Sequence, residues 1–171
     1  MFKNFCLEGV VISILLLVSS VVFAQEEKET KFGIGFQSSF PAYGISGMVD
    51  VGSNISVQGI LGAFGDLKTF AGRGIYRFRK EPYWNTYGYG MIGMWSYPWL
   101  EYKGGWTWEE ETETTMGFGA GVGIDYNWQG WSPDLPPIWW NLELGIGMVE
   151  FEDADYNFST IMFGVGVHYR F

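Results

Sequence analysis

The chain has a single cysteine and a single histidine in 171 residues, and both scarcities exclude whole classes of protein. Cys6 precedes the first apolar run, so the rest of the chain has no thiol for a disulfide framework or a cysteine-ligated metal. His168 stands alone, which excludes a histidine metal cluster. It has no accompanying catalytic motif either, since a serine nucleophile needs a base within reach. We therefore expect no enzyme activity and no cofactor.

Basic residues are also scarce. The chain has 10 Lys and Arg against 19 Asp and Glu, which gives a net charge of -9. No basic stripe of the kind that follows a phosphate backbone is visible. A nucleic-acid partner is therefore excluded.

Long apolar runs are missing except at the start of the chain. Residues 1–24 carry Lys3, an apolar run from Val10 to Phe23, and the small residue Ala24 as an exit. This layout predicts a secretory signal peptide that is cleaved after Ala24. An uncleaved anchor is the alternative, but the run is shorter than the ~20 residues of a spanning helix. Residues 25–171 are predicted to form one domain.

The chain is rich in aromatic residues, which make up 19% of it. They lie in segments where large apolar residues alternate with small or polar ones at every second position. Without a spanning helix, such an exported chain is predicted to be either a soluble or a transmembrane β-barrel. Most segments reach the ~9–11 residues that a tilted membrane strand needs. We predict eight strands, at Lys31–Ser38, Tyr43–Val51, Ile55–Phe64, Thr69–Arg79, Thr86–Tyr97, Thr115–Trp128, Ile138–Glu150 and Phe158–Phe171.

The two faces of these strands differ in chemistry. One face is apolar on all eight strands and includes Phe36, Ile45, Tyr87, Tyr89, Met91, Trp95, Phe118, Leu144 and Phe163. The other carries glycines and the charged residues Asp50, Arg73, Arg77, Arg79, Asp125, Glu143, His168 and Arg170. A charge facing lipid at mid-membrane costs ~2–4 kcal/mol, so we assign the apolar face to lipid. The inverted assignment, a soluble barrel around a hydrophobic ligand, would leave a surface made mostly of glycine, a poor strand former.

The aromatic residues near the strand ends are predicted to form two girdles at the membrane interface. The girdle residues are Trp84, Tyr87, Trp95, Tyr97, Trp128, Trp139 and Trp140. Between the strands we expect turns at 52–54, 80–85 and 129–137 on the periplasmic side. Outer loops are expected at 39–42, 65–68, 98–114 and 151–157, of which 98–114 is the longest.

The outer loops are acidic, with Glu109, Glu110, Glu111 and Glu113 in one and Glu150, Glu152, Asp153 and Asp155 around another. Such clusters suit divalent cations that bridge to lipopolysaccharide phosphates. Solvated, mutually repulsive loops are the commoner case.

The closing stretch Phe163, Val165, Val167, Tyr169 and Phe171 places a hydrophobic residue at every second position before a final aromatic. With the alternating strands before it, the chain resembles the small eight-stranded outer-membrane β-barrels, the families of outer-membrane proteins A and X and the opacity proteins. The resemblance implies an all-β, antiparallel, up-and-down transmembrane barrel in a bacterial outer membrane. It also implies outer-membrane lipids, lipopolysaccharide and the outer-membrane assembly machinery as partners. The closing stretch would be the insertion signal.

The inward charges are predicted to pair, because an unpaired buried charge is far more costly. We expect Arg73 or Arg77 beside Glu143, and Arg79 or Arg170 beside Asp125. Such pairs predict a plugged lumen and a structural or surface-interaction role through the loops. The alternative is a narrow channel or lipophilic-ligand conduit through an upper lumen of Ile60, Phe64, Ile92, Met94 and Met162.

Overall fold

A computed structural model describes residues 31–39, 42–62, 67–104, 107–151 and 156–171, with backbone alone at 100–104, 107–110 and 156–160. It forms a closed, fully antiparallel barrel, which confirms the predicted fold class. The strands are β1 Phe32–Ser39, β2 Ala42–Asp50, β3 Ile55–Gly62, β4 Lys68–Lys80, β5 Trp84–Gly104, β6 Thr107–Asn127, β7 Ile138–Phe151 and β8 Tyr156–Arg170. The predicted signal peptide lies outside the described residues.

Closure depends on the pairing of the first strand with the last. β1 pairs with β8 from Gly33 opposite Arg170 to Ser39 opposite Gly164, and every other strand pairs with its neighbours in the sequence. The ladder of backbone hydrogen bonds therefore runs around the whole barrel, and among the described residues the barrel wall has no free edge. We call the end with Lys31 and Phe171 the lower end and the opposite end the upper end. Among the described residues, no helix is long and apolar enough to cross a membrane.

The barrel is inverted relative to a water-soluble protein. Large apolar side chains cover the outside, among them Phe163, Ile146 and Met116, each about two thirds exposed or more. The inside holds Arg73, Arg77, Asp125 and Glu143, all buried. An exposed apolar surface of this extent needs a non-aqueous surrounding. The molecule is therefore a transmembrane β-barrel.

The predicted orientation of β5 is wrong. Tyr87, Tyr89, Met91 and Trp95 lie inside the barrel, each no more than 5% exposed, while Gly88, Gly90 and Ile92 face outward. The glycines of β6 lie opposite them in the register, Gly123 beside Tyr87 and Gly121 beside Tyr89. A Cβ atom at Gly123 would come within 2.5 Å of the Tyr87 ring. These glycines therefore make the space that the inward aromatic rings occupy.

The predicted long outer loop at 98–114 is mostly strand. β5 and β6 continue to pair from Pro98 opposite Thr112 up to Gly104 opposite Thr107. The described pairing of β5 with β4 stops at Ser96, and that of β6 with β7 stops at Gly117. The two strands therefore extend beyond the barrel wall as a hairpin, which we call the β5–β6 hairpin.

Candidate functional site

The upper half of the lumen is filled with apolar side chains. Trp95, Ile60 and Met162 have no exposed surface and pack with Ala71, Val149 and Phe151. Of the residues proposed for a conduit, Ile60 and Met162 lie in this packing, whereas Ile92 is 58% exposed on the outer face. Met94 is two residues after Ile92 on β5 and therefore lies on the same outer face. Phe64 lies outside the described residues. The conduit residues are therefore not brought together.

Glu143 on β7 is the centre of the polar network below this packing. Its Oε1 accepts hydrogen bonds from Arg73 Nη2 and Tyr87 Oη, each at 2.6 Å. Its Oε2 accepts from Ser39 Oγ at 2.5 Å and from Gln37 Nε2 at 3.2 Å. The side chains of Arg73 and Glu143 are at most 1% exposed. The carboxylate thus joins strands β1, β4, β5 and β7 across the lumen.

Arg73 makes a second contact that stabilises its position. Its guanidinium carbon lies 4.0 Å from the centre of the Tyr89 ring, a cation–π geometry. Its Nη1 also donates to Ser39 Oγ at 3.4 Å. Gln37 and Asn141 exchange two amide hydrogen bonds next to this group. The network is therefore continuous rather than a single isolated ion pair.

His168 lies lower in the lumen. Its Nε2 is 2.6 Å from Ser46 Oγ and 3.0 Å from Gln58 Nε2. All three side chains are buried. A serine beside a histidine is also the arrangement of a nucleophile and its base, but Ser46 is only 1% exposed, so a substrate has no access to it. His168 acts here as a hydrogen-bonding partner within the lumen.

Two further ion pairs lie near the lower end. Arg77 Nη1 is 3.2 Å from Asp50 Oδ1, and Ser56 lies between them with 2.5 Å hydrogen bonds to both. Arg170 Nη2 is 2.8 Å from Asp125 Oδ2. The expected partnership of Arg77 with Glu143 is therefore wrong. The structure pairs Arg73 with Glu143 and Arg170 with Asp125, as the charge pattern suggested.

Arg79 does not belong to the lumen. A bulge between Arg77 and Arg79 shifts the register of β4 against β5, and the Arg79 side chain is 60% exposed. It pairs with Glu81 at 3.1 Å and lies over the Trp84 ring. The expected pair of Arg79 with Asp125 is therefore wrong, because the bulge turns the side chain out at the rim.

The predicted girdle aromatics divide between the two faces. Tyr87 and Trp95 are buried in the lumen, and Tyr97 packs against Phe151 beside the apolar filling, so none of these three lies in a girdle. The others lie at the lower end: Trp84 under Arg79, Trp139 under Arg170, Trp140 beside Tyr126, and Trp128 stacked on Trp131. The position of Trp84, Trp128 and Trp140 suits an interface, and that role stays a prediction. Trp139 instead lies at the mouth of the lumen beneath Arg170.

The residues of the predicted insertion signal all face outward, four of them on β8 and Phe171 directly after it. Phe163, Val165, Val167, Tyr169 and Phe171 are each at least 44% exposed. The acidic residues of the upper loops fall partly outside the described chain, including Glu152, Asp153 and Asp155. No group of three or more metal-ligating side chains occurs among the residues that the structure covers.

Sequence reasoning missed two aromatic residues that contact the charged side chains of the lumen, Tyr87 and Trp139. Tyr87 was assigned to lipid, yet it donates to Glu143; Trp139 was assigned to the interface, yet it stacks on Arg170 at 4.4 Å. The run of glycines at alternate positions of β6 was the available signal, since they lie directly opposite the inward rings. The alternation of residues within β5 alone does not show that Tyr87 faces the lumen.

Comparison with known proteins supports the fold. Neither a scan of protein-family models nor a search of curated proteins finds a match. Among solved structures, the N-terminal β-barrel domain of Pseudomonas aeruginosa OprF matches with a TM-score of 0.50 at 13% identity, covering 86% of this chain and 100% of that domain. Yersinia pestis outer membrane protein Ail matches at 0.42 and 17%, covering 85% of this chain and all of its own. Neisserial surface protein A matches at 0.25 and 12%, covering 82% and 92%. The chain has the fold of the small eight-stranded outer-membrane β-barrels.

Proposed function

We propose that the protein is an outer-membrane barrel with a plugged lumen, and that it has a structural role or a surface-interaction role through its extracellular loops. The observation that carries the proposal is the Arg73–Glu143 ion pair, at 2.6 Å and almost without exposure. An eight-stranded barrel has an interior only wide enough for side chains. Ion pairs that join several strands across such an interior oppose the passage of solutes.

The apolar packing in the upper lumen also favours a plugged barrel over a conduit for a lipophilic ligand. Trp95, Ile60 and Met162 are fully buried at the level where a lipophilic ligand would enter. Below them, the polar lumen encloses a cavity of only about 10 Å³ between Gln58, Tyr87 and His168 and their neighbours. That volume suits about one water molecule. A transported molecule would have to displace both layers.

The location follows from the chemistry of the outer face together with the expected signals. Residues 1–24 would direct export, and the outward row from Phe163 to Phe171 would be read by the assembly machinery during insertion. Outer-membrane lipids and lipopolysaccharide would then contact the apolar surface. The β5–β6 hairpin, which projects past the barrel wall, would be presented outside the cell. Cation bridging at its acidic residues stays a secondary expectation.

Single-channel recording in planar bilayers tests the plug. The wild-type barrel is expected to remain closed, while Glu143→Ala, which removes the acceptor of four side chains, is expected to give measurable conductance. Glu81→Ala is the matched control, because it removes a carboxylate from an exposed ion pair at the rim. Strong conductance of the wild type would contradict the proposal. Silence in all three proteins would show that the apolar layer closes the lumen and that the ion pair does not.

A further inference from the structure

The lower end of the barrel contains a cavity separate from the buried network. Its volume is about 510 Å³, within the roughly 300–1,000 Å³ that small-molecule sites occupy. We call it the lower vestibule. Its lining includes the charged residues Lys31, Asp50, Arg77, Lys80, Glu81 and Arg170.

The lower vestibule is lined by four cationic side chains, those of Lys31, Arg77, Lys80 and Arg170, against three carboxylates, those of Asp50, Glu81 and the terminal residue Phe171. Arg77 and Arg170 are each engaged by one carboxylate, Asp50 and Asp125. The Glu81 carboxylate is paired with Arg79. Two ammonium groups therefore remain without a carboxylate partner among the described residues, those of Lys31 and Lys80. In a chain of net charge -9, such a local surplus of cations is unusual.

The cations are also crowded. The Lys80 ammonium lies near the cationic groups of Arg77, Lys31 and Arg170 and near the Asp50 carboxylate, and its Nζ donates to the Ser53 carbonyl at 2.5 Å. Like charges that face one cavity are stabilised when an anion enters it, because the anion interacts favourably with all of them. The arrangement therefore favours a ligand that carries concentrated negative charge.

The uncharged lining supplies hydrogen-bonding groups and a rigid wall. Asn127 caps the turn that follows β6 by accepting from the Gln129 amide, and its own amide donates to Gln129 Oε1. Trp139 forms an apolar wall beneath the Arg170 guanidinium. The Arg170 side chain is 14% exposed, so part of it remains open to the vestibule.

We propose that the lower vestibule binds the phosphate group of a small organic phosphate, carried either by a lipid headgroup or by a soluble ester. Lysine acts on phosphate as a point charge, and the delocalised charge of a phosphate can interact with two ammonium groups at once. A phosphate monoester carries nearly two negative charges near pH 7, against one on a monocarboxylate or on a phosphodiester. The proposal is independent of whether the lumen above is plugged.

Titration of the protein, purified from membranes in an uncharged detergent, tests this inference. The soluble probe is glycerol 3-phosphate, the lipid probe is short-chain phosphatidylglycerol in mixed micelles, and the comparison anion is acetate. Calorimetry is expected to detect glycerol 3-phosphate more strongly than acetate, and the lipid probe, whose phosphodiester has the single charge of acetate, measures what the rest of the headgroup contributes. Tighter binding of the lipid probe would identify a headgroup as the source, and equal or tighter binding of the soluble ester would identify a free phosphate.

The decisive variants are Lys31→Gln and Lys80→Gln, each expected to weaken phosphate binding about two- to fivefold, the range of one exposed charge pair. Lys68→Gln is the matched control, since Lys68 is an exposed lysine at the upper end of β4, the strand that carries Lys80 at its lower end. Gel mobility before and after heating verifies that each variant is folded. An equal loss in Lys68→Gln, no heat with either phosphate probe, or acetate binding as tightly as phosphate would each overturn the proposal.

Discussion

At the scale of single residues, the buried carboxylate of Glu143 has the clearest energetic role. It accepts hydrogen bonds from Arg73, Tyr87, Ser39 and Gln37, so its charge is compensated by a cation and three neutral donors. The pair need not stabilise the fold more than apolar residues of equal volume would. Removal of one partner lowers the stability of the fold, because the other charge is then left buried and unpaired.

Glu143→Gln is therefore expected to lower the free energy of unfolding by about 3–5 kcal/mol, the range for a broken buried pair. Glu81→Gln, the same change in the exposed pair with Arg79, is expected to cost no more than about 1 kcal/mol. Denaturant unfolding of both variants in detergent micelles measures the difference. Equal losses in the two variants would show that the Arg73–Glu143 pair is not desolvated.

The inward glycines of β6 provide a second test at this scale. Gly123→Ala is expected to cost about 1–3 kcal/mol, because its methyl group would meet the Tyr87 ring and displace the hydroxyl that bonds to Glu143. Gly90→Ala is the control, since a Cβ at Gly90 meets open space on the outer face. Its unfolding free energy is expected to stay within about 0.5 kcal/mol of wild type. Two equally destabilised variants would contradict the glycine–aromatic fit.

At the scale of the strand, the sequence predicted the existence of all eight strands but not every face. Alternation places large residues on one side of β1, β4, β6, β7 and β8. On the other side, charged residues identify the lumen in β4, β6, β7 and β8, and Gln37 and Ser39 do so in β1. β5 has no charge between Trp84 and Trp99, so its two faces are Tyr, Met and Trp against mostly Gly. Both lipid and a glycine-lined lumen accept aromatic rings, so only the pairing with β6 decides between them.

The same limit applies to the charge partners. Parity correctly places Arg73, Asp125, Glu143 and Arg170 inside, but it does not give their heights along the barrel, which depend on the register around the whole sheet. The bulge at Arg77 and Arg79 is invisible in the alternation, because the outward Phe78 between the two arginines fits a regular strand. One irregular position was enough to move Arg79 from the lumen to the rim.

β8 carries the prediction that concerns assembly. Phe171→Ser is expected to lower the amount of folded barrel in the outer membrane of cells several-fold, while refolding into detergent is little affected. The control is Phe118→Ser, which removes another outward phenylalanine in the middle of β6. Quantitative immunoblotting of heat-modifiable bands measures both variants. If the two behave alike in cells, Phe171 contributes only lipid contact and is not part of an insertion signal.

At the scale of the whole molecule, the outer apolar surface determines the conditions under which the barrel exists. The chain from residue 25 onward is expected to remain folded in detergent or lipid and to aggregate when the amphiphile is diluted below its micelle concentration. Light scattering together with heat-dependent gel mobility follows this transition. A monodisperse folded protein in plain buffer would contradict the transmembrane assignment and would restore the soluble barrel that the sequence alone left open.

The pairing of β1 with β8 has a consequence for how the barrel folds and inserts into the membrane. Gly33 and Arg170, near opposite ends of the barrel chain, are direct partners, so the loop that their pairing closes is almost the entire domain. Pairings of such long sequence separation form slowly, since the loss of chain entropy precedes the gain. Inside hydrocarbon, an unclosed sheet would expose two rows of unsatisfied backbone groups. The barrel therefore has no stable partial form within the membrane, because a copy without its last strand would keep two unpaired edges in hydrocarbon.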